Sequence, residues 1–166
     1  MNIVLMGYRG TGKSTVGRLL AVRLGRELVS TDAEIVKRAQ RTIPEIVAQE
    51  GWEYFRDLES VICRELASRD QLVIDTGGGV ILRAQNVEAL KKNSTVFWLT
   101  ASVETIAKRI GGDNQRPSLT ATKSFVDEIQ DVLRERTPKY QAAADHVIMT
   151  DDRSINQLVE TLLTLV

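Results

Sequence analysis

Apolar residues gather in five short runs: "NIVLM" (2–6), "ELVS" (27–30), "LVID" (72–75), "TVFWL" (95–99) and "HVIM" (146–149). Continuous rather than alternating, they suit strands buried on both faces. Between them the apolar spacing turns helical, from Gly12 to Leu24, through "ASVETIAKRI" (101–110), and again after "TDDR" (150–153). The last of these predicted helices has Ser154 and Gln157 spaced as a capping box and sets Ile155, Leu158, Val159, Leu162 and Leu163 on one face. Strands alternating with helices in this way predict an α/β fold, a parallel sheet covered by helices on both faces.

The segment between the second and third runs, residues 31–71, is far longer than a crossover needs. It carries two more helix starts, Thr31 with Glu34 and Thr42 with Glu45, each spaced as a capping box. An insertion of this length, about residues 31–60, is a candidate substrate-binding region. "GGDNQRPSLTATKS" (111–124), polar and rich in Gly, Thr and Ser, reads as a flap or lid. No internal repeat or linker divides the 166 residues, so a single domain is expected, with one site.

Composition removes several classes of function. With 22 basic and 22 acidic side chains, nothing in the balance suggests disorder or nucleic-acid binding. No run of about 18 apolar residues and no N-terminal targeting pattern is visible, so a cytoplasmic, soluble protein without a membrane partner is expected. The one cysteine, Cys63, lies in the helically spaced "ESVICREL" and reads as a small core residue. The lone His146, opening the fifth run, has no ligand-like neighbours and reads as structural.

The chemistry begins at "MGYRGTGKST" (6–15), where Gly7, Gly12, Lys13 and Ser14 satisfy G-x-x-x-x-G-K-[ST] between a strand and a helix. In such a loop, residues 10–15 (Gly10, Thr11, Gly12, Lys13, Ser14, Thr15) wrap phosphates with backbone N–H groups. The helix N-terminus adds partial positive charge, Lys13 neutralises the transferring phosphoryl, and the Ser14 hydroxyl is offered to Mg²⁺. No guanine-reading N-K-x-D stretch is visible, which favours ATP.

Opposite a phosphate site, charge is expected from Arg56 in "GWEYFRDLE", Arg116 in "NQRPSL" and Arg136 in "RERTPKY". Each alone is an ordinary surface charge, but one lies in the insertion, one in the flap and one late in the chain. The open C-terminal edge of a parallel sheet can collect all three, and their planar forks suit carboxylate or phosphate. "DTGGGVI" (75–81) ends the third run with Gly77, Gly78 and Gly79, either as a tight turn or as backbone that must approach a ligand closely. Asp32, with Thr31 as N-cap, would open a helix, as an ordinary first-turn acid or as an acceptor for substrate hydroxyls.

Taken together, the P-loop, "TDAEI", F-R-x-x-E (55–59), G-G-G (77–79), R-P-x-L (116–119) and R-x-P-x-Y (136–140) resemble the shikimate kinase family over nearly the whole chain. The resemblance implies a three-layer α/β/α P-loop fold of the nucleoside monophosphate kinase type, with five parallel strands in the order 2-3-1-4-5. The implied reaction transfers the γ-phosphoryl of ATP to the 3-hydroxyl of shikimate, in chorismate and aromatic amino-acid biosynthesis, with a monomer expected. By position, Arg56 and Arg136 look like the clamp for the shikimate carboxylate. Asp32 and the backbone of Gly77, Gly78 and Gly79 look like partners of its hydroxyls. Arg116 resembles the lid arginine over the phosphates, and Arg109 the one packed on adenine. Lys13, Asp32 and Arg116 are then the expected catalytic residues.

The chain departs from the family pattern at the end of the second strand, where Asp-x-Asp is usual and "VSTDAE" places Ser30 in the first position. A hydroxyl is a weaker partner for hydrated Mg²⁺ than a carboxylate. Asp75, at the end of the third strand, is a candidate outer-shell compensation, and so is Ser30 itself; Asp75 has an ordinary hydrogen-bonded strand-end role as its alternative. Arg9 inside the loop faces either solvent or ligand, and Trp52 and Tyr54 either line the acceptor pocket or pack the insertion. Two rival functions stand beside this reading. One is another small-molecule kinase of the same fold, acting on gluconate or a nucleotide. The other is a nucleotide-binding module that has lost catalysis, for which Ser30 is the only hint.

Overall fold

A computed structural model describes residues 1–111 and 124–166. The expected flap and its Arg116 lie outside the described residues. Five strands, β1 (Asn2–Met6), β2 (Glu27–Ser30), β3 (Leu72–Asp75), β4 (Ser94–Thr100) and β5 (His146–Met149), pair in parallel in the order β2-β3-β1-β4-β5. All five follow the apolar runs, β4 extending one residue further at each end.

Side chains alternate across the sheet and build a core on each face. Val4 and Met6 of β1, with Val29, Ile74 and Val96, pack against α2 (Thr31–Ala39), α3 (Ile43–Ala67), α4 (Ala84–Lys91) and the Tyr140 end of α6 (Phe125–Ala143). Ile3 and Leu5, with Val73, Phe97, Leu99 and Ile148, pack against α1 (Lys13–Leu24) and α7 (Ile155–Leu163). Helix α5 (Val103–Ile110) joins Tyr8 and α6 in a smaller cluster through Ile106, Ile110, Ile129 and Val132. The capping box at Ser154 and Gln157 forms with both of its bonds, and Leu158, Val159 and Leu162 are buried as the helical spacing predicts. Cys63 is buried, and burial pushes its thiol far above the ordinary range. His146 stacks on Phe97 at 5.1 Å between ring centroids.

One helix start differs from the sequence expectation. The N-cap of α2 is Ser30, whose hydroxyl accepts from the Ala33 N–H at 3.2 Å, and not Thr31. Thr31 is fully buried, and its hydroxyl accepts instead from the Gly77 N–H at 2.9 Å, across to the end of β3. With two adjacent hydroxyls available, the outer one caps the helix and the inner one holds the glycine turn. Asp32 therefore sits second in α2 rather than first. At Thr42 the cap stands as expected, accepting from the Glu45 N–H at 3.3 Å.

Helix α3 breaks at Gly51, which adopts φ 87° and ψ 170°. Positive φ suits glycine, and the break re-aims the second half of the helix. Trp52, Arg56 and Glu59, spaced i, i+4, i+7, then share one face, from which Arg56 reaches the glycine turn after β3.

Candidate active site

At the C-terminal edge of β1 and β3 lies a cavity of about 630 Å³. It is lined by Arg9, Gly10, Gly12, Lys13, Ser14, Thr15 and Arg109 on one side, and by Ser30, Asp32, Asp75, Gly77 and Gly78 on the other. Val36, Thr42 and Ile43 of the insertion complete the wall. The phosphate loop and the start of the glycine turn thus meet in one cleft. Arg9 is among the residues that line it.

The loop is held by its own side chains. Gly12 at φ 95° turns the backbone into α1. The ammonium of Lys13, 8% exposed, donates to the carbonyls of Gly7 at 2.8 Å and Tyr8 at 3.0 Å. Thr11 differs from its neighbours: it is buried and its hydroxyl donates to the Tyr8 carbonyl at 2.8 Å, so its side chain closes the loop instead of lining the cavity. Arg109 donates to the Gly10 carbonyl at 3.1 Å and to the Thr150 hydroxyl at 3.3 Å, fixing α5 against the loop.

Beneath the hydroxyl of Ser14 lies Asp75, whose Oδ2 accepts from it at 2.6 Å. Burial holds the Asp75 carboxyl above its usual range, and the charge of Asp32 pushes the same way, while Lys13 and the Ser14 hydroxyl oppose both. These are hard oxygen donors beside a phosphate loop, which fits Mg²⁺, an ion that keeps several waters and takes one or two carboxylates plus phosphate oxygens. Among the described residues no group of three or more His, Cys, Asp or Glu is placed to hold a metal ion by itself.

Arg56 and Arg136, far apart in sequence, are both buried, at 7% and 6% exposure, and both reach the glycine turn. A Cβ built on Gly79 would stand 2.3 Å from Arg56 Nη1, and one on Gly78 would stand 3.6 Å from Arg136 Nη1. Neither arginine lines the main cavity; each lies behind it, against the turn, as does Gly79. The guanidinium of Arg56 donates to Glu59 Oε1 at 2.9 Å and lies 5.4 Å from the ring of Trp52, which packs edge-on against Phe55. Trp52 therefore supports Arg56. Tyr54 is exposed and lies against Arg41.

Three contributors escaped the sequence reading. Glu59 is fully buried and orients Arg56; its only mark was the i, i+3 spacing within F-R-x-x-E. Tyr140, four residues after Arg136 on the same helix face, stacks on Trp98 and donates its hydroxyl to the Gly78 carbonyl. Thr31 was expected only as a cap.

Comparison with known proteins agrees with this geometry. A family model described as shikimate kinase matches residues 9–166. A shikimate kinase of Nitratidesulfovibrio vulgaris is 45% identical over 90% of this chain and 86% of its own length. One from Pelotomaculum thermopropionicum is 42% identical over 98% of this chain and 93% of its own. The solved structure of the Acinetobacter baumannii shikimate kinase in complex with shikimate superposes with a TM-score of 0.94 at 40% identity, covering 99% of this chain and 91% of that one.

Proposed function

The chain belongs to the shikimate kinase family, an ATP-dependent kinase moving the γ-phosphoryl to the 3-hydroxyl of shikimate, and we propose that Lys13 and Arg116 neutralise that phosphoryl while Arg56 and Arg136 clamp the substrate carboxylate. Asp32 and the backbone of Gly77, Gly78 and Gly79 take the ring hydroxyls, and Asp32 orients the attacking oxygen and receives its proton. Gly10, Thr11, Gly12, Lys13, Ser14 and Thr15 wrap the phosphates, Thr11 through its backbone, and Arg109 packs on the adenine. Ser14 would hold Mg²⁺ together with the nucleotide, and the ion would supply neutralisation of phosphate charge. The chain acts as one domain, with about residues 31–60 (α2 and most of α3) binding the acceptor and about residues 111–124 serving as the lid.

The observation that carries this division is the convergence of two buried guanidinium groups on the glycine turn that also walls the phosphate cleft. Phosphoryl transfer asks the protein mainly for in-line placement and charge neutralisation, and a turn shared by the two half-sites provides the placement. Balanced charge, with 22 residues of each sign, supports a small-molecule partner rather than nucleic acid. We infer a cytoplasmic monomer; among the described residues no helix is long and apolar enough to cross a membrane.

ADP release is measured with Mg²⁺ and ATP, alone and with shikimate, gluconate or AMP. A rise with shikimate only, over slow hydrolysis without it, is expected. Equal rates with and without shikimate, or a rise with AMP, would overturn the assignment.

A further inference from the structure

The ends of β2 and β3 stand side by side, Ser30 paired with Asp75 in the parallel register. Adjacent strands lie about 4.8 Å apart, so side chains at these two positions reach the same part of the cleft when they share a face. Both line the cavity beside Ser14. Their chemistry differs. The hydroxyl of Ser30 is engaged by the Ala33 N–H as the cap of α2 and carries no charge. Asp75 carries the carboxyl and already holds the Ser14 hydroxyl at 2.6 Å. A carboxylate at 7% exposure is costly to bury unless something charged meets it. Lys13 is the cation nearest in influence, yet its ammonium is also engaged by the Gly7 and Tyr8 carbonyls.

We propose that Asp75 is the carboxylate that anchors the hydrated Mg²⁺ beside Ser14, and that positions 30 and 75 are interchangeable seats for this single charge. The inference rests on the kinase assignment and deepens it: the outer-shell role goes to Asp75 and is withdrawn from Ser30. Interchangeability follows from the register and from the cap, since Asp caps a helix about as well as Ser and an acid at position 30 leaves α2 intact.

The test measures Mn²⁺ binding to the protein–ADP complex by electron paramagnetic resonance, alongside ADP binding in EDTA. Asp75→Ser is expected to weaken Mn²⁺ about 10-fold with metal-free ADP binding unchanged, and the double variant Ser30→Asp/Asp75→Ser to recover to within about threefold of wild type. Asp75→Asn, which keeps an oxygen for the Ser14 hydroxyl, is expected to weaken Mn²⁺ as the serine variant does and serves if the latter fails to fold. Undiminished Mn²⁺ affinity in Asp75→Asn overturns the proposal. Loss in the single variants without recovery in the double variant overturns the exchange and leaves Asp75 as a positioning residue for Ser14. Absence of shikimate-dependent ADP release in the wild type, with Mn²⁺ binding as expected, would sink the kinase assignment and not this one.

Discussion

Gly79→Ala tests whether the placement of Arg56 sets affinity for the acceptor. Gly79 adopts φ −95° and ψ 9°, a conformation open to alanine, so the substitution brings no backbone strain and its effect is steric. The added methyl would stand 2.3, 2.4 and 2.5 Å from Nη1, Nη2 and Cζ of Arg56. To restore an ordinary contact of about 3.5 Å the guanidinium must retreat by about 1 Å. Glu59 at 2.9 Å and the rings of Trp52 and Phe55 hold it in place, so the retreat disturbs the whole group. A displaced guanidinium forfeits a charge-assisted hydrogen bond to the substrate carboxylate, about 1.5–3 kcal/mol. That converts to a rise of roughly 10- to 150-fold in the KM for shikimate.

The assay is initial rate against shikimate concentration at saturating MgATP, with the KM for ATP as the internal control because Gly79 does not line the nucleotide cleft. A shikimate KM within about twofold of wild type, in a variant of normal thermal stability, would refute the reasoning. It would mean that Arg56 yields without loss, and that the contact between guanidinium and turn does not set acceptor affinity.

Removing the Lys13 charge with Lys13→Met should lower kcat by about 10²–10³ while shikimate still binds, checked by single-turnover rates and by shikimate quenching of Trp52 fluorescence. Thr31→Val leaves the buried Gly77 N–H without its acceptor and should cost about 1–3 kcal/mol, read as a fall in Tm of a few degrees per kcal/mol, with a higher shikimate KM as the turn loosens. Because burial pushes the Cys63 thiol far above the usual range, its thiolate is absent at pH 8, and a disulfide reagent should label no cysteine in the native protein and one per chain in guanidinium.

The sheet was legible because each strand is a compact apolar run, the form a strand takes when helices cover both faces. The P-loop was legible because its function needs fixed residues at fixed spacing. What escaped was tertiary. Ser30 and Thr31 are both good caps at the right spacing, and only the arrival of the Gly77 N–H from β3 decides which of them turns inward. The burial of Arg56 depends on the break at Gly51 and on Glu59, a residue that looks from sequence like any helical surface acid. Tyr140 is marked in the sequence only as the last residue of R-x-P-x-Y, and its bond to the Gly78 carbonyl has no local sign.

These missed contacts share a destination. Thr31 takes the Gly77 N–H, Tyr140 holds the Gly78 carbonyl, and Arg56 fills the space a side chain at position 79 would occupy. A methyl on Gly78 would meet the Gly7 carbonyl at 3.5 Å and the Arg9 backbone N at 3.6 Å, so the turn also abuts the phosphate loop. Four separate segments therefore fix three residues that have no side chains of their own. A phosphoryl transfer that depends on in-line geometry needs donor and acceptor set against a common reference, since an error of about 1 Å can cost 10²-fold. Side chains would make that reference adjustable; bare backbone, pinned from α2, α3, α6 and the loop after β1, makes it rigid. Gly79 is thus required less for conformational freedom than for thinness, which lets the Arg56 guanidinium lie directly behind the turn while the phosphate loop and Arg136 stand at ordinary contact distance from Gly78.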